Sequence, residues 1–303
     1  MTPAETPGVI AVVGATATGK SGLALDLAER LDGEIVNADA MQLYRGMDIG
    51  TAKLATAERR GVAHHQLDVL DVTQEASVAA YQAAARADIA AIRSRGRRPI
   101  LVGGSGLYVR AALDRLEIPP TDPEVRQRLE SEASERGPEA MYRTLLHEDP
   151  AAASQIQPAN TRRIIRALEV IELTGRPFSA SMPRREFVTE TSMIGLAVDR
   201  DVLDRRITAR VEDMWRQGLL AEVDVLLGLG LREGFTASRA IGYSQAIAVV
   251  DGRMSQEQAM VETAQATRRY ARRQESWFRP DPRIRWIDAA RRVDLDEAIS
   301  LLV

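Results

Sequence analysis

The chain has 303 residues, 45% of them hydrophobic and 27% charged, and a formal net charge of −3 at pH 7. It contains no cysteine, which excludes disulfides, thiolate metal sites and cysteine nucleophiles. No apolar run approaches the ~20 residues of a transmembrane helix, and the N-terminus lacks the basic and apolar segments of a signal peptide. We therefore expect a cytoplasmic protein without a membrane anchor.

The N-terminal segment combines a strand, a glycine-rich loop and a helix. Residues 8–14 (GVIAVVG) are apolar and rich in β-branched side chains, as in a buried parallel strand. Residues 20–31 place Leu23, Leu27 and Leu31 at helical spacing. The octet that joins them matches G-x-x-x-x-G-K-[ST] in full and consists of Gly14, Ala15, Thr16, Ala17, Thr18, Gly19, Lys20 and Ser21.

The octet predicts a P-loop. Glycines let successive backbone N–H groups turn toward phosphate oxygens, and the following helix adds its positive N-terminal end. Lys20 supplies a mobile charge, and Ser21 is placed to bind Mg²⁺. The loop indicates a phosphate-bearing small molecule but does not identify it.

Further strands and helices alternate along the chain. Short apolar runs predict strands at 34–38, 99–103, 193–198 and 283–287, and residues 78–95 read as an alanine-rich helix. This order predicts an α/β fold of the P-loop NTPase type, with a mostly parallel sheet covered by helices on both faces. More helices are expected at about 201–228, 236–251 and 255–278.

Between the third and fourth of these strands the pattern becomes helical throughout. Residues 124–175 carry almost only helical patterns, between proline- and serine-rich junctions. We expect an α/β core formed by residues 1–118 and 190–303, with an inserted all-helical module at 119–189.

Asp39 follows the second strand directly. Open α/β sheets bind ligands beyond the carboxyl ends of their strands, so Asp39 should face the same crevice as the P-loop. A carboxylate there suits a proton acceptor or an indirect Mg²⁺ contact, whereas a capping aspartate is the alternative. The third strand ends in Gly103, Gly104 and Ser105 rather than in the acid of an ATP-driven motor or switch.

Basic and aromatic residues give weaker signals. Arg268, Arg269, Arg272 and Arg273 share one predicted helix face, which suits a phosphate backbone. Arg206 and Arg210 form an i, i+4 pair, and either could reach a diphosphate. We expect a structural role for His64 and His65, and core positions for Trp215, Trp277 and Trp286.

Several segments resemble the tRNA dimethylallyltransferases, also called tRNA isopentenyltransferases, over nearly the whole chain. The segments are GATATGKS at 14–21, DAMQLYRGMDIGTAK at 39–53, HHQLDVLD at 64–71, ILVGGSGLY at 100–108, DPEVR at 122–126, RRIIRALEVIELTG at 162–175, RAIGYSQAI at 239–247 and TRRYARRQESWF at 267–278. The P-loop is generic, whereas DIGTAK, VGGxGLY and the closing R-R-Q-x-x-W-F are specific together.

The resemblance implies transfer of a dimethylallyl group from dimethylallyl diphosphate to N6 of the adenine at tRNA position 37, assisted by Mg²⁺ and without consumption of ATP. Residues 14–21 would hold the diphosphate, with Arg210 as the candidate arginine. Asp39 would accept the N6 proton. Ser105 stands where the family has threonine and keeps the hydroxyl, whereas Ala40 replaces the usual serine and removes one hydroxyl from the tRNA-contacting loop.

We expect the chain to act as a monomer without a membrane partner. The resemblance also implies which residues of this chain contact tRNA. These residues are Asp39, Ala40, Met41, Gln42, Ser105, Arg126, Arg162, Arg163, Arg166, Arg239, Gly242, Tyr243, Arg272, Arg273 and Gln274.

Three alternatives remain open. An adenylate isopentenyltransferase would need no extended basic surface, so the arginine clusters count against it. A small-molecule kinase would use ATP at the P-loop and would not depend on tRNA. A P-loop switch or binding protein would bind partners in a nucleotide-dependent way without chemistry.

Overall fold

The computed structural model describes residues 7–181 and 185–302. The chain forms two compact units, a core unit of Met1–Leu113 with Phe187–Val303 and an inserted unit of Asp114–Glu186. The sequence placed these boundaries at 118/119 and 189/190.

Six parallel strands make the sheet of the core unit. Their order across the sheet is β3-β2-β4-β1-β5-β6. The strands are β1 (Val9–Gly14), β2 (Gly33–Asn37), β3 (His64–His65), β4 (Arg98–Gly103), β5 (Thr191–Ala197) and β6 (Ile284–Asp288). The central strands β1 and β2 are buried at every position, as expected for strands covered on both faces.

Twelve helices complete the described chain. In the core unit they are α1 (Lys20–Arg30), α2 (Val78–Ser94), α3 (Gly106–Leu113), α8 (Arg200–Arg216), α9 (Leu219–Gly228), α10 (Tyr243–Val250), α11 (Gln256–Phe278) and α12 (Leu295–Ser300). In the inserted unit they are α4 (Pro123–Arg136), α5 (Pro138–Glu148), α6 (Pro150–Ala153) and α7 (Thr161–Thr174). Short 3₁₀ turns cover Met41–Leu43, Thr56–Arg59, Phe178–Ser181 and Ala237–Arg239.

The predicted P-loop NTPase-like fold, with a parallel sheet and flanking helices, is confirmed. The sequence missed the two-residue edge strand β3, which is too short to show a period, and helix α3, whose glycine-rich start reads as a loop. Trp215 is buried as expected, but Trp277 and Trp286 are 42% and 38% exposed, so the prediction that both belong to the core is wrong. An apolar neighbourhood in sequence does not decide which side of an element faces solvent.

No helix among the described residues has the length and apolar character needed to cross a membrane.

The inserted unit surrounds a carboxylate that is fully buried. Glu169 on α7 accepts hydrogen bonds from Arg126 (2.8 Å) and Arg166 (2.7 Å), and its side chain has no exposed surface. Arg166 also donates to the carbonyl oxygens of Pro119 and Pro120. Both arginines were predicted to contact tRNA; in the structure they pair with Glu169, because a buried carboxylate needs charged partners, and the Arg126 side chain is still 42% exposed.

Replacing Glu169 by glutamine should lower the free energy of unfolding by about 2–4 kcal/mol, because it leaves two arginines without their anion. Glu172→Gln on the same helix is the control, since Glu172 is 45% exposed and should change stability by less than about 0.5 kcal/mol. Urea denaturation of the intact chain measures both. Equal effects would show that the buried pairing adds nothing.

The same experiment has a defined pH dependence. Burial raises the pKa of Glu169, but the hydrogen bonds from the two arginines outweigh burial and leave its pKa lowered. A lowered carboxyl pKa stabilises the fold above the unfolded pKa, and this contribution is lost as pH falls through the folded pKa. The difference between wild type and Glu169→Gln should therefore shrink in acid below the ordinary pKa of glutamate.

Candidate functional site

The P-loop connects β1 to α1. Ala17 (φ 62°) and Gly19 (φ 94°) take left-handed conformations, which turn the chain tightly before the helix begins at Lys20. The Thr18 hydroxyl donates to the carbonyl oxygen of Ala15 at 2.8 Å. These contacts keep the loop folded back over the end of β1.

Lys20 lies in a dehydrated environment at the end of this loop. Its Nζ donates to the carbonyl oxygen of Ala15 at 2.6 Å. Burial and, to a smaller extent, the charge of Arg210 lower the pKa of Lys20 to about 7, although the charge of Asp39 opposes both. A bound phosphate would supply a negatively charged partner for the Lys20 ammonium and would favour its protonated form.

Asp39 stands where β2 ends, as the sequence predicted. Asn37 shapes the turn, since its side chain accepts from the amide of Asp39 and donates to its carbonyl, both at 3.0 Å. Asp39 Oδ1 accepts from the amide of Met41 at 2.9 Å. Burial raises the pKa of Asp39, opposed by the amides of Met41 and Gln42 and by the charges of Lys20 and Arg210. The carboxylate therefore lies in the electrostatic field of the P-loop and is more basic than usual.

Ser105 lies beside Asp39, just after β4. Its Oγ accepts from the amide of Ala40 at 3.3 Å and lies 3.4 Å from the hydroxyl of Tyr270 on α11. The carboxyl ends of β2 and β4 are adjacent in the sheet, which brings these two side chains together.

The structure distinguishes the two candidate arginines. Arg210 Nη1 donates to Oγ1 of Thr16 in the P-loop at 3.2 Å. Arg206, one turn earlier on α8, donates to the carbonyl oxygens of Ala289 and Ala290 at 2.9 and 2.7 Å. Burial lowers the pKa of Arg210 and the charge of Asp39 opposes this effect. Arg210 therefore belongs to the site, and Arg206 holds the chain after β6.

Gln274 on α11 connects the two loops of the site. Its Oε1 accepts from the amide of Thr16 at 2.8 Å, and its Nε2 donates to the carbonyl oxygen of Gly104 at 3.1 Å. A Cβ atom on Gly104 would lie 2.1 Å from that Nε2, so only glycine permits the contact. Gln274 was expected to contact tRNA, but it is 3% exposed, and its carboxamide bonds to both loops.

A cavity of about 360 Å³ opens between these groups. Thr16, Asp39, Ser105 and Arg210 line its polar side. The other lining residues are mostly apolar and include Ala40, Met41, Val211, Met214, Ala240 and Ile241. The cavity thus has a charged end for phosphate and an apolar wall, in the size range of small-molecule sites.

The loop that follows Asp39 is held by charges that the sequence analysis did not single out. Lys53 is nearly inaccessible and bonds to Asp48 at 2.7 Å, Asp68 at 2.6 Å and the carbonyl of Tyr44 at 2.7 Å. Glu222 of α9 accepts from the backbone amides of Asp48 and Ile49. The lysine and aspartate of the DIGTAK segment, Lys53 and Asp48, could have indicated this ion pair in the sequence. Glu222 could not be linked to the loop, because it lies far away in sequence.

The remaining predicted tRNA contacts divide by exposure. Arg162, Arg163, Arg239, Arg272 and Arg273 are exposed, and the guanidinium of Arg239 lies 3.7 Å from the ring centre of Phe235.

Three other residues singled out in the sequence, Gly242, Tyr243 and Arg268, are engaged within the fold. Tyr243 is fully buried and donates to Glu222 at 2.6 Å, and Gly242 beside it is buried. Arg268 bonds to Thr208 of α8 at 2.6 Å, so its side chain is not part of the exposed arginine face of α11. Tyr243 and Arg268 meet partners on other helices, which local spacing does not reveal.

Comparison with known proteins agrees with this geometry. The family model described as IPP transferase matches residues 42–281. The chain belongs to the IPP transferase family. Members of this family are prenyltransferases, so this chain is an enzyme of that class, and the resemblance seen in its motifs is confirmed.

Individual relatives extend the match to the P-loop. Proteins named tRNA dimethylallyltransferase from Streptomyces avermitilis and Nocardioides sp. are 59% and 56% identical to this chain. These matches cover 97% and 99% of this chain, and 94% and 97% of the relatives.

Solved structures of the family share the architecture. A tRNA isopentenylpyrophosphate transferase from Bacillus halodurans is 41% identical, with a TM-score of 0.69, over 97% of this chain and 93% of that one. A eukaryotic dimethylallyltransferase acting on tRNA is 28% identical, with a TM-score of 0.81, over 96% of this chain and 75% of that one.

Replacing Arg210 by alanine should weaken the binding of inorganic pyrophosphate about ten- to a hundredfold, since a hydrogen bond to a charged group contributes ~1.5–3 kcal/mol. Arg206→Ala, one turn away, should change it less than about twofold, because Arg206 bonds to backbone carbonyls. Isothermal titration with Mg²⁺ present measures both. An equal loss in the two variants would point to general positive charge rather than contact.

Proposed function

We propose that this IPP transferase moves a dimethylallyl group from dimethylallyl diphosphate to N6 of the adenine at tRNA position 37, giving N6-isopentenyladenosine and diphosphate. The carrying observation is the cavity that Asp39, Arg210 and Thr16 of the P-loop line together, with apolar residues such as Val211 and Met214 beside them. This arrangement supports both halves of a prenyl transfer, a leaving diphosphate and a proton acceptor for the amine.

The diphosphate end of the substrate suits the P-loop. Its oxygens would meet the loop amides, the Lys20 ammonium and the Arg210 guanidinium, and the prenyl chain would lie along Val211 and Met214. Charge that develops on the leaving oxygen is stabilised by groups already in place, with little reorganisation.

Magnesium fits this end of the site through Ser21. The Ser21 side chain lies in the first turn of α1, is partly exposed and has no hydrogen-bond partner among the residues that the structure describes. Within 7–181 and 185–302, no cluster of three or more His, Asp or Glu side chains could hold a metal. The hydroxyl and the diphosphate oxygens would therefore share the ion, which supplies neutralising charge.

The acceptor half depends on Asp39. N6 of adenine forms a bond to the allylic carbon as that carbon's bond to the diphosphate oxygen breaks, and the N6 proton passes to the Asp39 carboxylate. The raised pKa of Asp39 makes it a stronger base than an exposed aspartate. The Ser105 hydroxyl, beside the amide of Ala40, is placed to hydrogen-bond the base.

The exposed arginines support a polyanionic acceptor. Arg162 and Arg163 project from the inserted unit, and Arg272 and Arg273 from α11 of the core unit. They suit phosphate contacts that position an RNA. A free adenine nucleotide would need none of them, which disfavours the adenylate isopentenyltransferase. We also propose that the protein is a monomer and that it is located in the cytoplasm. The absence of cysteine is consistent with that location.

The reaction itself is tested by incubating the protein with Mg²⁺, dimethylallyl diphosphate and unmodified tRNA, then digesting the tRNA to nucleosides. N6-isopentenyladenosine should appear, and replacing tRNA by AMP should yield no prenylated product. A kinase or a nucleotide-dependent switch would instead give phosphate transfer or nucleotide-dependent binding without prenylation.

Asp39→Asn should lower kcat by about 10²–10⁴-fold and change the KM for tRNA little, because a general base acts in the transition state. In wild type, kcat/KM should fall as pH drops through the raised pKa of Asp39, since only the carboxylate accepts a proton. Ser105→Ala removes the neighbouring hydroxyl but keeps the base, and should retain the acid limb. A matching acid limb in Asp39→Asn would assign it to another group.

A further inference from the structure

Trp277 packs against Gly106, the residue that follows Ser105 of the cavity, and is 42% exposed. Most large apolar side chains of the core unit are buried, so the exposure of an indole at this place calls for an explanation. The explanation below rests on the proposed function, because it concerns how the tRNA is held next to the target adenine.

The absence of a side chain at Gly106 allows the indole of Trp277 to pack there. A Cβ atom on Gly106 would lie 2.8 Å from Cβ and Cγ of Trp277 and 2.9 Å from its Cδ2. The side chain therefore packs directly on the backbone at the start of α3, immediately after Ser105. One side of the indole is covered by this contact, and much of the rest is open to solvent.

Helix α11 fixes the indole relative to the reacting groups. Tyr270, Gln274 and Trp277 are spaced i, i+4 and i+7, so they share one side of the helix. Tyr270 lines the cavity next to Ser105, and Gln274 is bonded to Thr16. Trp277 lies seven residues beyond Tyr270, about 10 Å along the helix axis. A nucleotide adjacent to one in the cavity is within that reach.

The charges around Trp277 favour a nucleic acid over an apolar partner. Arg269, Arg272 and Arg273 are exposed on the same helix, and none forms an ion pair with another described residue. An aromatic ring beside unpaired arginines is the combination with which proteins hold unpaired nucleotides, by stacking on the base and neutralising the phosphate.

We propose that Trp277 is a stacking platform for the base next to the target adenine. An adenine that enters the cavity loses its own stacking neighbours in the anticodon loop, and Trp277 replaces one of them for the adjacent base. The role is one of substrate binding, separate from the proton transfer at Asp39.

Trp286 provides a matched control. It is 38% exposed and also packs on a glycine, since a Cβ on Gly195 would lie 2.6 Å from its Cε3. It belongs to the edge strand β6, whereas Trp277 packs on the residue next to Ser105. Both tryptophan-to-alanine variants therefore remove a partly exposed indole that packs on a glycine, and only Trp277 packs on a neighbour of a cavity residue.

The test measures prenylation of an anticodon stem-loop RNA. Trp277→Ala should raise the KM for this RNA about ten- to a hundredfold, as expected for one base stacked on an aromatic ring. The KM for dimethylallyl diphosphate and kcat should stay within about threefold of wild type. Trp277→Tyr should restore most of the affinity and Trp277→Leu should not. Trp286→Ala should leave the KM for RNA unchanged.

Two further arms identify the contact. Two stem-loop RNAs are compared, one without the base on the 5′ side of the target adenine and one without the base on its 3′ side. One of these two RNAs should bind wild type more weakly than the intact RNA does. That RNA and the intact RNA should bind Trp277→Ala with equal affinity. The salt dependence of binding should be unchanged by Trp277→Ala, because stacking releases no counterions. An undiminished effect of base removal in the variant would overturn the proposal.

Other outcomes separate this inference from the proposed function. If wild type binds the stem-loop but Trp277→Ala binds it equally well, the platform is wrong while the function stands. If Trp277→Leu matches Trp277→Tyr, the side chain only packs on Gly106, and the platform is again wrong. If wild type neither binds nor prenylates the RNA, the proposed function itself fails.

Discussion

The site depends on three charges, Lys20, Arg210 and Asp39, that lie close together at one edge of the sheet and are partly shielded from solvent. Lys20, Arg210 and Asp39 would each be costly to dehydrate alone, and their mutual field makes the arrangement tolerable. The compensation is incomplete, since two cations face one carboxylate and Asp39 still keeps a raised pKa. An anionic ligand supplies the missing negative charge, and the carboxylate remains basic enough to accept a proton. Binding and chemistry thus have the same electrostatic origin.

Helix α11 connects the loops of the site to exposed side chains. Gln274 holds the P-loop and the Gly104 loop at one spacing, and Tyr270 approaches Ser105 from the same helix. Because a carboxamide has both a donor and an acceptor, it can join an amide of one loop to a carbonyl of the other. The exposed arginines and Trp277 lie on the same helix. If an RNA binds to them, this helix fixes its position relative to the cavity.

The arginines of this chain show how burial decides the role of a charge. Arg126 and Arg166 neutralise Glu169 within the inserted unit, and Arg206 bonds to carbonyl oxygens after β6. Each satisfies an internal group that would otherwise be buried without a partner. Arg162 and Arg163 have exposed side chains and remain available to an external polyanion. A count of basic residues in the sequence treats these two kinds alike.

The sequence by itself determined the parallel α/β core, the P-loop and the position of Asp39, because these follow from local patterns: buried β-branched runs, a glycine octet and the end of a strand. Only the tertiary structure decided that Arg210 bonds to Thr16 of the P-loop whereas Arg206 bonds to carbonyl oxygens after β6, that Gln274 and Tyr243 are buried, and that Trp277 is exposed. Each of those outcomes depends on partners far away in sequence, such as Thr16 and Glu222. Periodicity predicts which face of a helix a residue occupies, but packing decides what that face meets.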